Sequence, residues 1–327
     1  MHQILNGGNE EDALRNIFQA HDGSSTVTKS GAVYEVTYMG KSFLLGSSLE
    51  YIERVDANVD EWTFNNSTQT LTAYKGDLTT KRGNQEIGEV IIPNYYNGKR
   101  VKTIGNSLFY NNKSITSLTI SDGIETIEGN AFSECSNLRG DLIIPNSITS
   151  IGGWAFNNCS SLDGELKLGK SLQTIGNSAF RECTNLRGNL IIPNSVVSIG
   201  PHAFWKCSSL NGEIKLGKSL QTIGDSAFSE CTNLRGDLII PNSITNIERY
   251  AFNNCENLSG NIIIPDCVIS IEPATFRNCI LFESITFLNK QTTINSVPPN
   301  AVIKGYAGST AQQYANDNGK TFVTISE

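Results

Sequence analysis

The sequence predicts a leucine-rich-repeat type of solenoid, β-rich, in which parallel strands stack in about eight short turns of near-constant length, with a small α+β region before it and a cap after it. Three observations carry this. Phe109, Phe132, Phe156, Phe180, Phe204, Phe228, Phe252 and Phe276 are separated by one step of 23 and then six of 24. Aliphatic columns keep the same spacing, among them Leu142, Leu166, Leu190, Ile214, Leu238 and Ile262, and likewise Ile144, Leu168, Ile192, Leu216, Ile240 and Ile264. A glycine column, Gly140, Gly164, Gly188, Gly212, Gly236 and Gly260, runs beside them unbroken. A single turn cannot bury such residues alone, but stacked turns bury them against each other.

Residues 1–85 lack the repeat and are expected to form an α+β module with a hairpin cap. Glu10 to Ala20 places Ala13, Leu14, Ile17 and Phe18 on one helical face. Ala32 to Leu45 reads as a hairpin turning at Met39-Gly40-Lys41. Trp62 to Tyr74 reads as another, with Asn65, Asn66 and Ser67 in its turn, placed to cover the open end of the core.

The solenoid is expected over 86–288. Its first turn departs from the pattern, with Asn94-Tyr95-Tyr96-Asn97-Gly98-Lys99-Arg100 inserted between Pro93 and Val101, and should be a capping turn. In the regular turns Leu142-Ile143-Ile144 alternates as a β-strand with Ile143 outward, and a Pro or Gly stops it. A second extended segment, Ile148 to Ile151, should precede a bend carrying Ala155, Phe156 and Cys159. The glycine column sits where the chain needs either a positive φ or a close backbone approach. Residues 163–210 align without gaps on 211–258, so turns alternate between a Pro-Asn-Ser and a Gly-Lys-Ser type. Duplication of two-turn units would produce this.

Residues 289–327 read as a C-terminal cap. It has a short helix from Ser309, its N-cap, to Asn318, ended by Gly319, and then a strand from Thr321 to Ile325.

Pro-Asn-Ser-Ile-Thr-Ser-Ile-Gly followed by Ala-Phe-x-x-Cys resembles the BspA-like leucine-rich-repeat family, over about residues 86–288. Gly305-Tyr306-Ala307-Gly308-Ser309 also resembles the segment that closes such arrays. The resemblance implies a bacterial or protist protein, at the cell surface or secreted, that binds host or extracellular-matrix proteins. It does not name the partner.

Composition narrows the function further. The net charge is −7, with 7 basic against 11 acidic residues in 1–85 and 18 against 21 in the remainder. Neither part offers the concentrated positive face that nucleic acid or an anionic membrane requires. No apolar run of about 18 residues exists to insert into a bilayer. Met1 to Glu10 lacks the order of a secretory signal, which leaves an intracellular chain or one whose signal has been removed. A monomer is expected.

Seven of the eight cysteines, Cys135, Cys159, Cys183, Cys207, Cys231, Cys255 and Cys279, share one repeat position. Their spacing lacks the close pairs of a zinc site, so a ladder of buried, reduced thiols is expected rather than metal or disulfide. Cys267 stands instead in a serine column, where exposure is open to it. Only three histidines exist, His2, His21 and His202, and His202 reads as a surface residue of the bend; carboxylates could do acid-base work, but those of the repeats lie on an open surface where nothing raises a pKa or excludes water. No cofactor, metal or enzymatic activity is expected, though residues 1–85 leave room for an enzyme.

The outward strand face is the candidate binding site. One column holds Asp141, Glu165, Glu213 and Asp237, and the next holds Ile143, Lys167, Ile191, Lys215, Ile239 and Ile263. With parallel strands about 4.8 Å apart, such a strip suits protein recognition. Two other readings stand beside it: β-branched residues simply form good strands on a solvated face, or the array is a scaffold positioning an adjacent domain. The series Arg139, Arg187 and Arg235, recurring in every second turn, reads either as repeat inheritance or as part of a site.

Overall fold

The computed structural model describes residues 26–30, 33–38, 41–46, 51–52, 58–80 and 86–326. The helix expected over 10–20 and the turn at 39–40 lie outside these residues. The strands flanking that turn, Val33–Tyr38 and Lys41–Gly46, pair antiparallel with Tyr38 opposite Lys41, in a four-stranded sheet with Thr26–Ser30 and Tyr51–Ile52.

From Thr103 to Ile294 the chain winds through nine turns rather than eight, because the last carries no phenylalanine. Each turn adds one two-residue strand to a continuous parallel sheet: Thr103–Ile104, Thr126–Ile127, Ser150–Ile151, and so on in register to Thr293–Ile294. The isoleucines from Ile104 to Ile271 point inward and are at most 1% exposed. Gly152, Gly176 and Gly200 follow directly, and a Cβ on any of them would press on the backbone of the preceding turn. The strand must therefore stop there. The hairpin of Trp62–Asn65 and Thr70–Tyr74 adds to the N-terminal edge of this sheet, with Leu71 beside Ile104. Trp62 and Tyr74 pack on Phe109 at 5.9 and 5.4 Å between ring centres, closing the end of the core as expected.

The bend is a second ladder. Phe109 to Phe276 form one stack with centroids 5.1 to 5.9 Å apart and planes within 13° of parallel. In every turn the residues two before and two after the Phe are left-handed, from Ser107 and Asn111 to Ala274 and Asn278, with φ between +53° and +65°. A non-glycine residue pays about 1 to 2 kcal/mol for that conformation. It persists because the next turn fixes it: Trp154, Phe156 and Asn158 donate their N–H groups to the carbonyls of Asn177, Ala179 and Arg181 at 2.7 to 2.8 Å, and later turns repeat the pattern. Each ladder cysteine is buried, and its thiol donates to the carbonyl of the Phe 26 or 27 residues earlier, Cys183 to Phe156 for example, at 3.0 to 3.1 Å. A small residue that packs like a hydrophobe and still offers a donor meets both needs at this position.

The caps use different means. In the first turn Tyr95–Tyr96 and Lys99–Arg100 form a small hairpin, and Tyr96 stacks on Phe64 at 5.0 Å. The buried Arg100 guanidinium donates to the Gly123 carbonyl at 3.0 Å and to Glu125 at 3.3 Å. At the other end Leu258–Ile264, Leu281–Phe287, Val302–Gly305 and Phe322–Thr324 run parallel in one sheet. Between the last two lies helix Thr310–Asp317, whose N-cap Ser309 accepts from the Gln312 N–H; Gly319 ends the segment at φ +61°. No helix among the described residues is long and apolar enough to cross a membrane.

One expectation is corrected. The even ladder expected at Leu142–Ile144 belongs instead to the Ser150–Ile151 column, and the first segment pairs only intermittently.

Candidate functional site: the outward strand face

All ten sequence-designated residues lie exposed on one face: Asp141, Ile143, Glu165, Lys167, Ile191, Glu213, Lys215, Asp237, Ile239 and Ile263. Their inward neighbours Leu142, Leu166, Leu190, Ile214, Leu238 and Ile262 are at most 5% exposed, so the alternation holds. The isoleucines are uncovered well beyond the usual half-buried strand residue, at 56% for Ile143, 52% for Ile191, 76% for Ile239 and 54% for Ile263.

From Leu142 to Lys215 this face alternates between closed and open seams; beyond it Gly236–Asp237 pairs with Leu258–Ser259 and the sheet runs on unbroken. Leu142–Ile143 pairs with Leu166–Lys167, and Leu190–Ile191 pairs with Ile214–Lys215. At these closed seams Leu142 and Ile144 donate to the carbonyls of Glu165 and Lys167 at 2.9 and 2.8 Å, and Leu190 and Ile192 repeat the bonds one unit on. Between the units, Leu166–Lys167 and Leu190–Ile191 belong to separate sheets. The backbones there meet through Arg187, whose N–H donates to the Gly164 carbonyl at 3.0 Å; Arg139 and Arg235 make the same bond to Thr116 and Gly212. The arginine series therefore marks the strand-side backbone link across each open seam.

At the two closed seams, side chains that recur in every second turn bridge to the next turn. In the Pro-Asn-Ser turns Asp141 and Asn189 accept from the backbone N–H of Glu165 and Glu213, at 2.9 and 2.8 Å. Asn146 and Asn194 accept in the same way from Lys170 and Lys218, at 2.9 and 3.0 Å. The Gly-Lys-Ser turns hold Glu165 and Lys170 at the equivalent positions, and neither offers a short amide or carboxylate acceptor to the next turn. The next seam opens, and Leu168 and Leu216, expected inside, are only half-buried. A groove of about 350 Å³ results, floored by Leu166, Leu168, Ile191 and Pro193, with Lys167 and Lys170 on its rim.

The glycine column follows the same alternation from Gly140 to Gly236, and Gly260 departs from it. Gly140, Gly188, Gly236 and Gly260 sit at φ +78° to +83°, whereas at Gly164 and Gly212 a Cβ would strike the backbone of the turn before. Both reasons for a glycine hold, in different turns.

Both lysines of the strip are paired with carboxylates. Lys167 lies 3.3 Å from Asp141 and 3.4 Å from Glu165, and Lys215 lies 3.0 Å from Glu213. The Glu165 N–H and the Lys167 ammonium hold the Asp141 carboxyl below its ordinary pKa, and Asp141 in turn raises Lys167. On the bend, burial alone would raise the Asp225 carboxyl, but the Ser226 hydroxyl and the Arg249 guanidinium at 2.7 Å outweigh it and hold it low. Lowered carboxylates are poor general acids.

Elsewhere the cysteines match their reading. All are free thiols; burial pushes Cys135, Cys183, Cys231 and Cys279 up to about 12 and raises Cys159, Cys207 and Cys255 well above the ordinary value. Cys267 is half-buried rather than open. It donates to the Ile244 carbonyl as Ser243 does to Leu220. His202 is also half-buried, edge-on to Trp205, whose ring carries the Arg181 guanidinium at 4.7 Å and the Lys206 ammonium at 4.1 Å. Among the described residues no group of three His, Cys, Asp or Glu is placed to hold a metal.

The model of the BspA type leucine rich repeat region matches residues 102–235 and 210–297, in six copies. The chain belongs to the BspA-type leucine-rich-repeat family. This BspA-type solenoid is similar to a leucine rich cell surface protein from Faecalibacterium prausnitzii A2-165, with 19% identity over 93% of this chain and 96% of that one and a TM-score of 0.39. It is also similar to a leucine-rich repeat protein from Bacteroides ovatus ATCC 8483, with 19% identity over 84% and 99% and a TM-score of 0.36. A third similar structure is the leucine rich repeat protein of T. pallidum, with 20% identity over 83% and 98% and a TM-score of 0.37. No protein of curated function matches the sequence.

Sequence reasoning missed the seam and the groove residues Leu168 and Pro193. The signal was present: Asp141 and Asn146 against Glu165 and Lys170 at equivalent positions of alternating turns.

Proposed function

We propose that this chain is a non-catalytic protein-binding module, acting as a monomer, whose partner docks on the outward strand face. The observation that carries the reading is the row of exposed isoleucines beside a groove, on a face where Lys167 and Lys215 already pair with carboxylates. Such a face gains little from a charged ligand and much from covering apolar surface, as the core of an interface does. Membership of the BspA-type family supports a bacterial surface or secreted setting and an adhesion role, with host or extracellular-matrix proteins as the partner class.

The test is a binding screen of the full chain against purified extracellular-matrix and cell-surface proteins, followed by the double substitution Ile191→Ser with Ile239→Ser. Two hot-spot anchors worth about 2 kcal/mol each would weaken binding more than about a hundredfold, while stability changes by less than about 0.5 kcal/mol because both side chains face solvent. Ile192→Ser, one residue along and inward, should instead destabilise the fold. A partner that binds the double variant as tightly as the parent would rule out this face.

A further inference from the structure

The bend carries a second pattern, on residues separate from the strand face. The position two before the Phe holds a ring in three alternate turns, Trp154, His202 and Tyr250, while Ser107 stands there in the first. The flanking turns hold Asn130, Ser178, Ser226 and Ala274. The three ring residues share one backbone geometry, with φ of +56°, +55° and +56°, so their side chains leave the backbone in the same direction. Trp154 is 42% exposed, and His202 and Tyr250 are half-buried. Ser178 and Ser226 turn inward, their hydroxyls bonded to Asn177 and Asp225, leaving gaps between the rings.

Two further observations single out this row. The aligned copies 163–210 and 211–258 agree closely on the strand side, but in the bend they differ at Gly200/Glu248, Pro201/Arg249, Trp205/Asn253 and Lys206/Asn254. The ring position changes identity, from His202 to Tyr250, and keeps its ring. The spacing is also fixed: the phenylalanine stack beneath steps by 5.2 to 5.5 Å per turn, so rings two turns apart stand about 10 to 11 Å from each other, near twice the strand spacing of a parallel ladder.

We propose that Trp154, His202 and Tyr250 form a stacking platform for a neutral, extended β-1,4-linked polysaccharide. In such a chain each pyranose advances by about the spacing of one turn, and successive sugars are flipped. The same C–H face therefore returns on every second sugar, in step with rings on every second turn. An extended peptide repeats its face every two residues, about 7 Å, and does not fit. A polyproline II helix repeats about every 9 Å and would be about 3 Å out of step by the third ring. Charge favours a neutral ligand: Arg181 pairs with Glu182 at 3.0 Å and Arg249 with Asp225 at 2.7 Å. The half-buried Asn158, Asn253 and Asn254 lie in the same bends, where amide atoms not bonded to the neighbouring turn can meet sugar hydroxyls.

The experiment titrates the full chain with cellohexaose, xylohexaose, a hyaluronan hexasaccharide and a deca-proline peptide, read by calorimetry and tryptophan fluorescence. A neutral hexasaccharide should bind best. Trp154→Ser and Tyr250→Ser, each importing a residue native to this column, should weaken it about fivefold apiece, the worth of one aromatic contact of about 1 kcal/mol. Moving a ring by one turn, Ser226→Tyr with Tyr250→Ser, keeps the number of rings but breaks the spacing, and should lose as much as Tyr250→Ser alone. The strand-face variant Ile191→Ser with Ile239→Ser should bind sugar as the parent does, which separates this site from the protein-binding face. The proposal is overturned if neither neutral sugar binds at about 10 mM, on the order of the weakest specific affinities. It also fails if hyaluronan or deca-proline binds more tightly, if the ring substitutions or the moved ring leave affinity unchanged, or if the strand-face variant loses it.

Discussion

The two long sides of the regular turns share one period, and one is closed throughout while the other, from Leu142 to Lys215, is closed only at every second step. On the closed side Ile151, Phe156 and Cys159 head columns that stay buried along the regular turns, and hydrogen bonds to the neighbouring turn hold the backbone. On the strand side the period doubles. Where Asp141 and Asn146 supply acceptors the next turn is held, and where Glu165 and Lys170 stand it is not. The lesson is that repeat hydrophobicity sets the stack, whereas short polar side chains set how tightly each pair of turns meets.

Alkaline titration should break the closed side with the largest effect. A ladder thiol at about 12 keeps its proton in the fold when the unfolded chain, near 9.0, has lost it. The stabilisation is thus complete below pH 9 and is lost as pH rises toward 12. Each pH unit in that window removes about 1.4 kcal/mol per thiol. The four thiols held near 12, Cys135, Cys183, Cys231 and Cys279, together reach the stability of an ordinary domain, about 5 to 15 kcal/mol, by about pH 11. Circular dichroism against pH should show cooperative unfolding there. Structure that persists at pH 12 with titrated cysteines would mean that the column is not sealed.

A contrast within one column is next in size. Ile192, 2% exposed at a closed seam, should cost about 3 kcal/mol on replacement by Ala, and the half-buried Leu168 about 1 kcal/mol. Equal losses in denaturant melts would remove the distinction between the seams.

The smallest effect sharpens it. Glu165→Asp with Lys170→Asn gives a Gly-Lys-Ser turn the acceptors of its neighbour and should close the seam onto Asn189 and Asn194, gaining about 1 kcal/mol. Hydrogen exchange at Leu166, Leu168 and Asn189 would slow, and binding at the groove would fall. Unchanged exchange would show that those side chains follow the seam rather than make it.

The stack was legible because burial is periodic: Phe156, Ile151 and Cys159 announce themselves at every turn. The ten outward residues were legible because strands alternate. The continuity of each sheet was not, because two-residue strands carry too little pattern to say which segment keeps its ladder. Nor was the seam, since an Asp and a Glu in equivalent positions look alike until one methylene is seen to decide whether the carboxylate reaches the next backbone N–H. The left-handed pairs flanking each Phe escaped for a related reason: Trp154, Glu182 and Lys206 are not residues that advertise a positive φ, and the neighbouring turn imposes it on them.

The alternating seams also bear on how such a molecule can change length. Between Asp141 and Asn242 the turns come in pairs, so removing a single turn there would set two turns of the same type against each other, whereas removing or adding a pair restores each junction. Each added pair brings one more groove and one more ring at fixed separation. Lengthening would raise avidity for a long, repetitive ligand by offering further contacts already tethered to the first, with no change in any single contact.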